Sequence, residues 1–105
     1  MKEKQITVII KEPGQPPRLE PFFDNTLESF QAAVGGYIET MTPFSDLVAI
    51  VNEEGRIKKL PFNCTVLGCP VYGTVVLAGV KRDEFCSIPA RFWALAESIV
   101  RGEST

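Results

Sequence analysis

"QAAVGGYIET", residues 31–40, joins a run with helical spacing to a run with strand spacing through two consecutive glycines. Upstream, "DNTLESFQAAVGG" carries Leu27, Phe30 and Val34 on one helical face, with Glu28 and Gln31 turned toward water. Asn25 stands three residues before Glu28, the spacing of a capping box in which each side chain satisfies a free amide of the first turn. Gly35 falls just past the helix, where a left-handed backbone is favoured and a Cβ carries a steric cost. Gly36 has no such role. It marks either a tight helix-to-strand corner or a close approach by another strand or a partner, and spacing leaves both open.

On the N-terminal side, "QITVIIK" alternates Ile6, Val8 and Ile10 against Gln5, Thr7 and Lys11, the period of a half-buried strand. "EPGQPP" is a loop, because Pro13, Pro16 and Pro17 fix φ and lack donors while Gly14 is free to take positive φ. "RLEPFF" returns as a strand that Pro21 confines to a sheet edge.

On the C-terminal side, "YIETM" reads as a strand, and "DLVAIV" and "TVVLAGV" are apolar on both faces, as strands in the middle of a sheet are. "NEEG" followed by "RIKKL" predicts a hairpin. "PFNCTVLGCPVYG" has no sustained period and reads as an irregular crossing segment, and Gly79 reads as a bulge. "SIPARFWALAESIV" predicts a helix capped by Ser87, with Pro89 in its first turn and Ile88, Phe92, Leu95, Ala96 and Ile99 in one apolar arc. The expected fold class is therefore α+β: a mostly antiparallel sheet of five to six strands, one helix after strand 2, and a C-terminal helix packed on the sheet. At 105 residues, 45% hydrophobic and 23% charged, residues 1–105 suffice for one core and are read as a single domain.

A net charge of −2 argues against a strong field for nucleic acid or anionic lipid. No apolar run reaches the roughly 18 residues of a membrane span, and "MKEKQITVII" is too short in its apolar part for a secretion signal, so no membrane partner and a cytoplasmic location are expected. Three cysteines, an odd number, fit reduced thiols.

The absence of histidine removes the commonest general base and the Ser-His and Cys-His pairs. Glu53 and Glu54 are adjacent at a turn, where side chains diverge, and are no facing carboxylate pair. Cys64, Cys69 and Cys86 lack a fourth soft ligand for structural zinc, and Gly68 and Gly73 lack the Gly-Lys-Ser/Thr of a phosphate loop, so no metal, cofactor or catalytic residue is assigned. Arg56, Lys58, Lys59, Lys81 and Arg82 read as a solvated basic rim in preference to a nucleic-acid patch. Trp93 sits at the shoulder of the C-terminal apolar arc beside Glu97, where part of its indole is left for contact with a partner or lapped over the edge of the core.

"EPGQPP" after a first strand, "LESFQAAVGGYIE", "VNEEGRIKKLPFN" and "GTVVLAGV" together resemble an uncharacterised domain-of-unknown-function family common in phages and in conjugative elements of gut Firmicutes. Cys64 stands where that family commonly has Arg after the Asn, and the following segment is shorter and lacks its acidic stretch. The resemblance implies a mobile-element accessory protein with no established activity. It carries over Gly35 to Glu39, Asn52 to Gly55, and Leu60, Pro61 and Asn63. Within these blocks Glu39 is the odd residue, a carboxylate sharing a strand face with Tyr37 and Met41; it must lie at an edge, be paired, or await a partner.

The leading expectation is a non-enzymatic protein that binds a host or element protein, with a host defence nuclease as one such target for inhibition. The alternative is a small-ligand or nucleotide sensor in which Tyr37, Glu39, Asn52 and Asn63 converge beside Gly36. The candidate binding residues are thus Gly36, Tyr37, Glu39, Asn52, Asn63 and Trp93, and a homodimer is compatible with either reading.

Overall fold

The double glycine does end a helix. A computed structural model describes residues 3–96 and 100–101. In chain order it contains β1 (Gln5–Lys11), β2 (Arg18–Asp24), α1 (Leu27–Val34), β3 (Ile38–Phe44), β4 (Leu47–Asn52), β5 (Phe62–Val66) and β6 (Cys69–Tyr72). These are followed by β7 (Val75–Lys81), β8 (Glu84–Cys86), a 3-10 turn at Ala90–Phe92, and β9 (Val100–Arg101).

A six-stranded sheet has the order β2-β1-β7-β4-β3, with β8 added to the end of β7. A three-stranded sheet has the order β6-β5-β9, and every pairing in both sheets is antiparallel. The runs that are apolar on both faces became the inner strands: all of β4 is buried, as are the first five residues of β7. Two cores result, one on each face of the large sheet. On the first, Ile6, Val8, Ile10, Val48, Ile50, Val76 and Ala78 pack against Phe30 and Val34 of α1. Phe30 also meets Phe23 and Phe85, with ring centroids 4.9 and 5.1 Å away. On the second, Ile9, Leu47, Ala49, Val51, Val75 and Leu77 meet Cys64, Val66 and Val71 of the small sheet together with Ile88, Phe92 and Ala96.

Strand β2 is an edge, as Pro21 requires, and the β1–β2 register shifts between Ile6 and Val8, so that Pro21 and Phe22 lie in a bulge and no ladder bond is lost to the missing amide.

Several local expectations are corrected. Thr26, not Asn25, caps α1, its hydroxyl accepting from Ser29 N at 3.1 Å. Asn25 is buried and instead donates to the carbonyls of Glu3 and Phe85, tying the helix entry to β8. Leu27, expected on the core-facing stripe, faces solvent. "RIKKL" forms no strand: residues 53–59 wind through consecutive turns, because β4 already has β3 and β7 as its two neighbours. The segment read as irregular is the β5–β6 hairpin, closed by Leu67 and Gly68 at φ 49° and 90°, the left-handed pair of a two-residue turn. Gly79 is no bulge, being paired with Leu47 on one side and Cys86 on the other; its missing side chain admits Ser87 O and Pro89.

The C-terminal helix does not begin at Ser87. The Ser87 hydroxyl accepts from Thr7 N at 3.0 Å and Ile88 N donates to Thr7 O at 2.9 Å, which fastens this segment to β1 in extended form. Among the described residues a 3-10 turn follows and turns continue to the half-exposed Leu95; Ala96 is helical, and residues 97–99 of the expected helix lie outside the described residues.

Candidate functional site

The corner after α1 uses both glycines for structure. Gly35 takes φ 81° and its amide returns to Gln31 O at 2.8 Å, the left-handed cap. Beside it, buried Asn52 at the end of β4 donates to Val34 O at 3.1 Å and accepts from Glu54 N at 2.7 Å. One side chain thus satisfies a free carbonyl of the helix end and opens the turn after β4. A Cβ on Gly36 would lie 2.9 Å from Asn52 Nδ2, so the second glycine is the space through which that amide reaches the helix.

Asn63 belongs to a different network. Its Nδ2 donates to Lys11 O at 2.7 Å and Gly73 O at 2.8 Å, while its Oδ1 accepts from Lys11 Nζ at 2.9 Å. Lys11 also donates to Glu12 O at 3.0 Å, is only 5% exposed, and makes no ion pair among the described residues. The alternation in β1 placed Lys11 on the solvent side; that face is in fact covered by the small sheet, and nothing in the spacing of "QITVIIK" signals a second cover. Neighbouring Cys64 is fully buried, and burial pushes its thiol up to about 11, with the charge of Lys11 opposing.

The four residues of the sensor reading therefore do not share a pocket. Glu39 and Asn52 line a groove of about 160 Å³ with Met41, Val51, Glu53, Arg56 and Tyr72, while Tyr37 is 70% exposed outside it and Asn63 is buried elsewhere. Glu39 resolves as an edge residue: β3 ends the large sheet, and neither Glu39 nor Glu53 enters an ion pair among the described residues. Arg56 lies over the Tyr72 ring at 5.3 Å from its centroid.

Trp93 lies on the other flank. It is 45% exposed and lines a cleft of about 340 Å³ with Ile9, Pro17, Arg18, Leu19 and Ala96. Leu19 is 43% exposed, and Arg18 on the rim pairs with Glu12 at 3.5 Å. The β1–β2 hairpin supplies one wall and the segment after the 3-10 turn the other, so residues far apart in the chain meet only through the fold. Pro17, Arg18 and Leu19 were legible as loop and edge strand but carried no sign of facing Trp93.

A family model described as a domain of unknown function (DUF3846) matches residues 6–98. The chain belongs to the DUF3846 family. The matched span of this DUF3846 domain takes in Gly36, Tyr37, Glu39, Asn52, Asn63 and Trp93, with both the groove and the cleft. Comparison with curated proteins and with solved structures finds no match. Among the described residues no helix is long and apolar enough to cross a membrane, and no group of three or more Cys, Asp or Glu is placed to hold a metal.

Proposed function

We propose that this DUF3846 domain is a non-enzymatic binding protein whose partner is another protein, seated at the Trp93 cleft. The observation that carries the reading is the pairing of Trp93 and Leu19, each a little under half exposed, around an apolar cleft rimmed by Arg18. Trp and Arg dominate the energetics of protein interfaces, because a large rigid surface is desolvated at little cost in side-chain entropy. The phage and conjugative-element resemblance makes a host or element protein the expected partner, and inhibition of a defence nuclease the first activity to assay. We place the encounter in the cytoplasm, the compartment that suits three unpaired thiols. A second copy of the chain competes for the same surface in this reading, and nucleic acid does not.

The sensor reading has less support. Small-molecule pockets run to about 300–1,000 Å³, and the groove that holds Glu39 and Asn52 is about 160 Å³. Its test is a thermal-shift screen with nucleotides and metabolites, where a ligand at a hundred times its Kd adds about 2.7 kcal/mol.

The protein-binding reading is tested by placing a photo-crosslinking amino acid at position 93, or at the 80%-exposed turn residue Ile57 as control, in producing cells. A product of defined mass at 93 and absent at 57 supports it. Equal products at both positions, or none at 93, overturn it.

A further inference from the structure

We propose that the outer edge of β3 is a second binding surface, which takes an extended, basic segment of a partner protein as an added antiparallel strand. The inference rests on the protein-binding reading above but not on the Trp93 cleft.

The main chain supplies the first argument. Strand β3 closes one side of the large sheet, with Ile38, Glu39, Thr40 and Met41 opposite Asn52, Val51, Ile50 and Ala49 of β4. Glu53 N donates to Tyr37 O at 2.9 Å, so Tyr37 belongs to a hydrogen-bonding pair of this ladder. Antiparallel pairs alternate between bonded and non-bonded. Glu39 and Met41 therefore bond inward to β4, while the amides and carbonyls of Ile38 and Thr40 point outward.

Two other edges, those of β2 and β6, are interrupted by proline. On β2, Pro21 sits in the bulge. On β6, Pro70 pairs with Thr65, one step from the Val66–Cys69 pair that closes the hairpin, and this outward position has no N–H to offer. In β3 the proline comes late, at Pro43 within the register shift between Met41 and Phe44, which leaves Ile38 to Met41 free of proline.

Charge selects the occupant. Glu39 points to the groove side of this edge and Glu53 lines the same groove, neither in an ion pair among the described residues, while Arg56 is laid on Tyr72. A guest strand places one side chain directly across from Glu39, where an opposite charge is favoured and a like charge is not. Its aliphatic stem would lie along Met41 while its ammonium or guanidinium faces Glu39.

The test is selection of displayed random heptapeptides on the immobilised full chain, followed by anisotropy titration of the enriched peptides. Expected are peptides with Lys or Arg among β-branched residues, whose affinity falls at least tenfold on Glu39→Lys and at least tenfold on Thr40→Pro, with the urea midpoint recorded for each variant. Because proline can disturb β3 itself, the same peptides N-methylated at alternate positions are titrated against wild-type protein; they too should lose binding. Enrichment without basic residues, binding indifferent to Thr40→Pro and to N-methylation, or no enrichment overturns the β3 proposal. The position-93 crosslink is scored separately, so loss of the edge and loss of protein binding altogether give different results.

Discussion

The side-chain amide of Asn52 fills the space that a Cβ on Gly36 would need, approaching that position to 2.9 Å. From there it holds Val34 O and Glu54 N at once. The relationship links a helix end, a strand end and a turn through one residue, and a mutant cycle can measure it.

Gly36→Ala is expected to displace Asn52 and cost about 1–3 kcal/mol, the range for leaving buried polar groups unsatisfied. In an Asn52→Ala background the same substitution should cost almost nothing. Gly35→Ala, which meets no atom within 4 Å but sits at φ 81°, should cost about 1 kcal/mol in either background. Urea unfolding of the variants checks all three.

Asn63→Leu leaves the buried Lys11 ammonium with Glu12 O as its remaining acceptor and strips Lys11 O and Gly73 O of their donor. A loss of about 3 kcal/mol or more is expected. Adding Lys11→Met should restore part of it by removing the stranded charge, so the double variant unfolds at higher denaturant than Asn63→Leu alone.

Stability should fall in alkali with a component owed to Cys64. Its thiol ionises near 9.0 in the unfolded chain and is held up to about 11 in the native state by burial. Between those values the native state binds more protons than the unfolded state, so stability declines as pH rises, by about 2–3 kcal/mol once both limits are passed. Below 9.0 the contribution is constant. The difference in pH slope between wild type and Cys64→Ala, from unfolding curves across roughly pH 8 to 11, isolates it.

The β5–β6 turn asks an exposed leucine to adopt φ 49°. Asn tolerates that conformation better and pairs with Gly68 as the preferred dipeptide of such turns. Leu67→Asn is expected to raise stability by about 1 kcal/mol, read as a higher thermal midpoint with no change in the unfolding m-value.

The sequence determined the inner strands β4 and β7, because only a strand covered on both faces can afford runs as apolar as "DLVAIV" and "TVVLAGV". It determined that Pro21 lies on an edge and that Gly35 ends a helix, since both follow from the covalent limits of single residues. The hairpin at Leu67 was hidden by a residue ill suited to its turn, and the Ser87 segment by a cap signal that β1 claimed for itself. Tertiary structure alone decided what Gly36 is for, that Lys11 is buried, and that Trp93 faces Leu19 across a cleft. Periodicity records which side of an element is apolar; it does not record how many layers cover that side or which distant residue arrives there, and these follow from packing between elements far apart in the chain.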